Sequence, residues 1–226
     1  MDFAEIRERA QYEIKDFLAD KNNRLFAIGL AALLVIGGAY TGYKYYYRGI
    51  QRAAQRDFAQ AMQTYNEAVS GQAKKENIWN EVEFAFKTGY EQNKSSSIAP
   101  FFLAYQSEAL LKLNNKEEAY KVLTQAVDSM KSPFSYFYQI KQALMEIDMN
   151  QADKGVKQLE SLANDTNNQF ADLANFYLAE YYWSKNDISN AQKHFALVAS
   201  KTSDDKESMA QAPWVQSAQE KLEQLS

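Results

Sequence analysis

An internal repeat constrains the fold of this 226-residue chain more than any other feature of the sequence. Three consecutive segments of 36 residues, 100–135, 136–171 and 172–207, align without a gap. Small residues recur at two positions, a large apolar residue at a third and Asn at a fourth. These residues are Ser107, Ala143 and Ala179; Ala119, Gly155 and Ala191; Leu123, Leu159 and Phe195; and Asn114, Asn150 and Asn186. Such a period is typical of stacked units that bury their apolar faces against one another.

Each segment predicts two helices joined at the recurrent Asn. Small residues on both helices let the two axes cross closely. Asn adopts the left-handed conformation that ends helices more readily than any residue except Gly. The 177 residues after Gly49 contain only three Gly and three Pro, too few for the turns of a sandwich or barrel. We therefore predict an all-α fold, an α-solenoid of helix pairs.

The third segment carries the clearest resemblance to a known repeat. Its sequence LANFYLAEYYWSKNDISNAQKHFALV resembles the tetratricopeptide repeat (TPR), a helix–turn–helix unit of about 34 residues. The matching residues are Leu178, Ala179, Tyr182, Asn186, Ala191, Phe195 and Val198. The middle segment matches less well, because Gln142 and Glu146 stand where large apolar residues are usual and Gly155 where Ala is usual. The resemblance implies a TPR-like solenoid over residues 98–207.

A run of 19 uncharged residues, 25–43, lies between Arg24 and Lys44. As a helix it spans about 28 Å, close to the hydrocarbon thickness of a bilayer. A buried core helix and a cleaved signal peptide are the alternatives, but six acidic residues precede the run and a Tyr-rich stretch follows it. We predict a transmembrane helix over 25–47 after an amphipathic tail, 1–24. Gly38 and Gly42 form a GxxxG pattern that suits close packing of membrane helices.

The remaining segments are predicted to close the two ends of the solenoid. Residues 48–97 are expected to form a membrane-proximal helix pair, with helices near 49–69 and 77–92. Within 208–226, Pro213 precedes a final helix predicted over 214–225, whose one apolar face closes the stack as a terminal cap requires.

The composition excludes most chemistry. The chain has no Cys and a single His, His194, so no thiol, zinc or His-based catalytic constellation is present in the sequence. No phosphate-binding glycine loop occurs, and a net charge of −4 argues against a nucleic-acid partner. We expect a protein that is not an enzyme and that takes no cofactor, metal or small-molecule substrate.

The first helices of the repeats supply a candidate protein-binding groove. In TPR arrays these helices line the concave side, and such a groove takes an extended or helical segment of another protein. Packing against the leading or final helix would produce the same apolar stripe, so both interpretations stay open. The alignment places there Phe101, Leu111, Phe137, Ile140, Ile147, Leu173, Phe176 and Trp183.

The order of these parts resembles the YfgM-like family, the ancillary subunit of the bacterial Sec translocon. The resemblance rests on that order and on stretches such as 43–48 and 119–126. Five cations precede the uncharged run 25–43 and four lie in residues 44–56 after it, so charge does not orient the chain. The resemblance implies an inner-membrane protein with a cytoplasmic N-terminus and a periplasmic domain. It also implies an adaptor between the translocon and periplasmic chaperones or secreted chains.

Two other functions remain open at this stage. The first is an envelope or cell-division scaffold that assembles membrane complexes. The second is an import receptor of opposite orientation, with its repeats in the cytosol.

Overall fold

The computed structural model describes residues 3–19, 21–71, 77–200 and 212–225, which are helical apart from short turns. The described helices are α1 (Phe3–Ala19), α2 (Lys21–Val69), α3 (Ile78–Gln92), α4 (Ala99–Lys112), α5 (Lys116–Ser129), α6 (Phe134–Asp148), α7 (Ala152–Asn164), α8 (Ala171–Ser184), α9 (Ile188–Ser200) and α10 (Pro213–Gln224). The predicted all-α fold is confirmed.

The chain divides into two compact units, 1–53 and 54–226. The first unit contains α1 and the beginning of α2, and the predicted span 25–47 lies in the helical backbone of α2. Among the residues that the structure describes, no helix combines the length and apolarity needed to cross a membrane. Within the predicted span, the side chains at 26–28 and 30–32 lie outside the described set. Gly38 and Gly42 face open space, with no atom within 4 Å of where a Cβ would stand.

The second unit contains three consecutive helix pairs, α4–α5, α6–α7 and α8–α9. The Asn between the helices of each pair is left-handed, with φ of 61° at Asn114, 63° at Asn150 and 59° at Asn186. At each turn the Asn N–H donates three residues back and the next N–H donates five residues back, to Leu110 in the first pair. This is the Schellman arrangement, which satisfies the last carbonyl groups of a helix. The predicted role of the repeated Asn is confirmed.

The repeated small residues lie where the helices of each pair cross. In the first pair the Ser107 hydroxyl donates to the Ala119 carbonyl oxygen at 2.7 Å, and Ala119 is fully buried. In the second pair, a Cβ on Gly155 would stand 2.4 Å from the carbonyl oxygen of Ala143. Gly155, which stands where the repeat usually has Ala, therefore lets the backbones of α6 and α7 approach closely.

The core of the second unit is a row of apolar clusters, each shared by neighbouring helices. Before the first pair, Phe58 and Tyr65 of α2 pack with Val82 and Phe86 of α3 and with Phe102 of α4. After the last pair, α10 buries Ala218 against α8 and α9. The end of the third repeat, 201–207, lies outside the described residues. Because each pair contacts only its neighbours, terminal helices are needed to cover the two exposed ends.

Candidate protein-binding site

A continuous row of aromatic side chains connects the N-terminal ends of α4, α6 and α8. We call this row the aromatic ridge; it consists of Phe101, Phe134, Phe137, Tyr138 and Phe170. Ring centroids are 5.5 Å apart between Phe101 and Phe134, 5.2 Å between Phe137 and Tyr138, and 5.6 Å between Phe137 and Phe170. Phe134 is 56% exposed and the other four are half-buried. The ridge is held by edge-to-face contacts and still presents apolar surface to solvent.

Charged and phenolic groups fix one side of the ridge. The Lys141 ammonium lies 5.3 Å from the Phe137 ring centroid and 5.7 Å from that of Tyr138. It also pairs with a carboxylate oxygen of Glu108 at 3.4 Å, while the Tyr65 hydroxyl donates to the other oxygen at 2.5 Å. Burial raises the pKa of Tyr138, and burial together with Glu108 raises the pKa of Tyr65. Both phenols therefore remain neutral hydrogen-bonding groups at physiological pH.

The eight predicted groove residues lie in different environments in the structure. Phe101 and Phe137 belong to the aromatic ridge, and Leu111 is 37% exposed at the other end of α4. Ile147 is half-buried and packs against the core cluster of α6, α7 and α8. Ile140 and Leu173 are core residues, with exposures of 1% and 5%.

The last two predicted groove residues, Phe176 and Trp183, lie against the terminal helix α10. They share an apolar cluster with Trp214, Leu222 and other α10 residues. Lys221 of α10 lies 4.8 Å from the Trp183 ring centroid and pairs with Glu180 of α8. Lys141 of α6 pairs with Glu108 of α4 in the same way, and Glu108 and Glu180 are two repeats apart. Over the third pair, α10 therefore stands where the next first helix would stand.

A buried polar network lies between the first and second helix pairs. The Glu146 carboxylate is 1% exposed and accepts from the Tyr120 hydroxyl at 2.6 Å and the Lys154 ammonium at 2.8 Å. Its second oxygen has no hydrogen-bond partner among the described residues. The hydrogen bonds to Glu146 and Tyr120 raise the pKa of Lys154. Glu146, which departs from the repeat pattern, thus ties α5, α6 and α7 together.

His194 occupies a structural position. Its Nδ1 lies 2.9 Å from the Asn175 side-chain oxygen, and its ring stacks on Tyr182 at 5.6 Å. Burial lowers its pKa, with Lys193 acting in the same direction. Among the described residues, no group of three or more His, Asp or Glu side chains is placed to hold a metal ion.

The sequence reasoning missed three residues of the ridge: Phe134, Tyr138 and Phe170. Phe134 and Phe170 are 36 residues apart, and both lie at the boundary between segments as they were aligned. The period itself was the signal that identifies them, because an alignment starting two residues earlier places both at the start of a first helix. At the position of Tyr138 an aromatic residue recurs only in one direction, because Phe102 stands one period earlier and Ala174 one period later.

Helix pairs with small residues at their crossings, left-handed Asn turns and a chain of shared cores define a TPR-like α-solenoid. Proteins of this fold generally serve as protein–protein interaction scaffolds.

Comparison with solved structures supports the TPR-like fold. The chain is similar to the crystal structure of a Podosopora anserina putative kinesin light chain with nearly identical TPR-like repeats. The TM-score is 0.54 at 15% sequence identity, over 76% of this chain and 86% of that one. A crystal structure of a point variant of the same kinesin light chain gives a TM-score of 0.55 at 15% identity, over 76% and 85%. Neither the protein-family comparison nor the comparison with curated proteins finds a match. At this identity the similarity shows the fold alone.

Proposed function

We propose that this chain is a membrane-anchored adaptor whose aromatic ridge binds a segment of a partner protein. The observation that carries the proposal is the exposure of Phe134 in a TPR-like solenoid, where its ring packs on Phe101, which in turn contacts Tyr138. A large aromatic side chain held in place by neighbouring rings costs little entropy when a partner covers it.

The chemistry of the ridge indicates the kind of segment it would bind. The rings provide flat apolar surface for apolar side chains of an extended or helical peptide. Lys141 and Glu108 are partly exposed and lie at its side, where they would set the register of polar groups in the peptide. Phe176 and Trp183 are not part of this proposed surface, because α10 already packs on them.

A second part of the proposal concerns the location of the chain in the cell. We propose that residues 25–47 anchor the chain in the bacterial inner membrane, with the N-terminus in the cytoplasm and the solenoid in the periplasm. There it would associate with the Sec translocon and link it to periplasmic chaperones or secreted chains. The uncharged run, the exposed tyrosines that follow it and the YfgM-like order of parts support this placement. An anchor would raise the effective concentration of a weak binding surface near its partner.

Co-purification from native membranes tests the binding surface. Phe134→Ala is expected to reduce recovery of a bound partner at least tenfold, as for a central interface residue. Phe84→Ala is the matched control, because Phe84 is 67% exposed on α3 and is not part of the ridge. Equal recovery of the partner with the Phe134→Ala and Phe84→Ala variants would refute the proposal that the ridge binds it.

Protease treatment of intact spheroplasts tests the orientation. Degradation of the solenoid from outside is expected for a periplasmic domain. Full protection would instead favour the cytosol-facing receptor. In the co-purification experiment, recovery of wall-synthesis components would favour the envelope scaffold.

A further inference from the structure

We infer that α2 carries a binding surface for anionic lipid headgroups, formed by Lys44, Arg48 and Arg52 with the surrounding tyrosines. This inference rests on the proposed membrane anchor and names the lipid chemistry that the anchor prefers.

The first observation is the distribution of charge. Residues 21–56 contain six of the 25 Lys and Arg residues and none of the 29 Asp and Glu residues. The rest of the chain carries 19 basic against 29 acidic residues. A chain with a net charge of −4 therefore concentrates positive charge on one stretch of one helix. Such a concentration attracts anionic surfaces.

The second observation is that the structure describes no ion-pair partner for these cations. Lys44, Arg48 and Arg52 are all exposed, and no described carboxylate lies within ion-pair distance of them. Arg56 differs, because it pairs with Asp57 at 3.3 Å. The three unpaired side chains are free to bind groups from outside the chain.

The third observation is the helical arrangement. At about 100° per residue, the three cations fall within an arc of about 80° and span about 12 Å along the axis. The tyrosines at 40, 43, 45, 46 and 47 point around the rest of the circumference. Tyr45 is 80% exposed, Tyr46 69% and Tyr43 65%. A protein partner would cover one side of the helix, whereas these rings face every direction.

An interfacial lipid layer fits this arrangement best. Tyr rings are enriched at headgroup level, and Lys and Arg side chains extend toward phosphate groups from nearby positions. The 19-residue uncharged run ends at Tyr43, directly before Lys44. A bilayer would also cover the uncharged run beside the cations, which a nucleic acid would leave exposed, so we assign the surface to lipid.

Lipid binding to the detergent-solubilised full chain tests the inference. Native mass spectrometry would compare phosphatidylglycerol with phosphatidylcholine. The wild type is expected to prefer phosphatidylglycerol. Lys44, Arg48 and Arg52 form a basic stripe along α2, which the triple variant Lys44→Gln, Arg48→Gln, Arg52→Gln removes. The phosphatidylglycerol affinity of this stripe variant is expected to fall about fivefold per charge, or about 100-fold in total. Circular dichroism checks that the variant remains helical.

A charge-matched control removes three exposed cations from the solenoid. This variant is Lys87→Gln, Lys121→Gln, Lys157→Gln. It is expected to keep the phosphatidylglycerol preference of the wild type. Equal loss in both triple variants would overturn the inference, since it would reflect net charge alone. Stripe-dependent binding of a single-stranded oligonucleotide in place of lipid would overturn it as well.

Flotation of the reconstituted chain with phosphatidylcholine vesicles in high salt distinguishes failure of this inference from failure of the proposed membrane anchor. Retained flotation without a phosphatidylglycerol preference overturns the headgroup surface and leaves the anchor in place. Lost flotation with a stripe-dependent preference overturns the anchor, and the basic surface then stands as a peripheral lipid site.

Discussion

Gly155→Ala tests the closeness of the α6–α7 crossing. The new methyl carbon would stand 2.4 Å from the Ala143 carbonyl oxygen, 2.7 Å from Cγ1 of Ile147 and 3.2 Å from its backbone nitrogen. Ordinary contacts between such atoms are about 3.5 Å, so the two helices must separate by about 1 Å. Two of the three contacts are backbone atoms, which cannot rotate away.

Two opposing effects set the magnitude of this change. Replacing Gly by Ala inside a helix stabilises it by about 1 kcal/mol. Overpacking of a close contact costs about 1–3 kcal/mol, and a backbone clash belongs in the upper part of that range. We therefore expect Gly155→Ala to lower the free energy of unfolding by about 1–2 kcal/mol.

Urea unfolding followed by circular dichroism measures this difference. Ser161→Ala is the control, because Ser161 is exposed on the same helix and its replacement is expected to change stability by less than about 0.5 kcal/mol. Stabilisation of Gly155→Ala by about 1 kcal/mol would refute the close crossing, since helix propensity alone would then account for the result.

Three further predictions follow from the turns and buried polar groups. Glu146→Leu is expected to leave stability unchanged or raise it by about 1 kcal/mol, whereas Lys154→Met, which leaves the Glu146 carboxylate without its cation, lowers it by about 1–3 kcal/mol in urea unfolding. At the left-handed Asn150, substitution by Ala costs about 1 kcal/mol and substitution by Gly less than about 0.5 kcal/mol, and equal costs would contradict the turn. His194 has a lowered pKa, so its NMR titration midpoint is expected below 6.5. The unfolded state then binds the extra proton, and stability falls as pH drops below 6.5, by at most about 1.4 kcal/mol per pH unit, except in His194→Gln.

The helix pairs and their turns were predictable because their causes are local. Small residues at fixed spacing and Asn at a helix end act within a single repeat, and the structure follows them at Asn114, Asn150 and Asn186. The same locality explains why helices begin at or beside Pro100, Pro133 and Pro213.

The binding surface was only partly predictable because exposure depends on distant parts of the chain. For Ile140 and Leu173 the sequence left a groove and a packed core both open. Both residues are buried, because the first helices of a stack are covered on more than one side. Trp183 is covered by α10, whose docking position no repeat period encodes. Glu146 stands at an apolar position of the repeat, and only the fold brings Tyr120 and Lys154 to its carboxylate.

Site-specific photocrosslinking in native membranes tests the central claim most directly. A photoreactive residue at position 134 or 101 reports on the aromatic ridge. One at position 84 or 197 reports on exposed apolar residues of other helices, since Phe84 is 67% and Leu197 47% exposed. The proposal predicts crosslinks to translocon subunits, periplasmic chaperones or secreted chains from 134 and 101 only. Crosslinks of equal yield from all four positions, or from 84 and 197 alone, would contradict it.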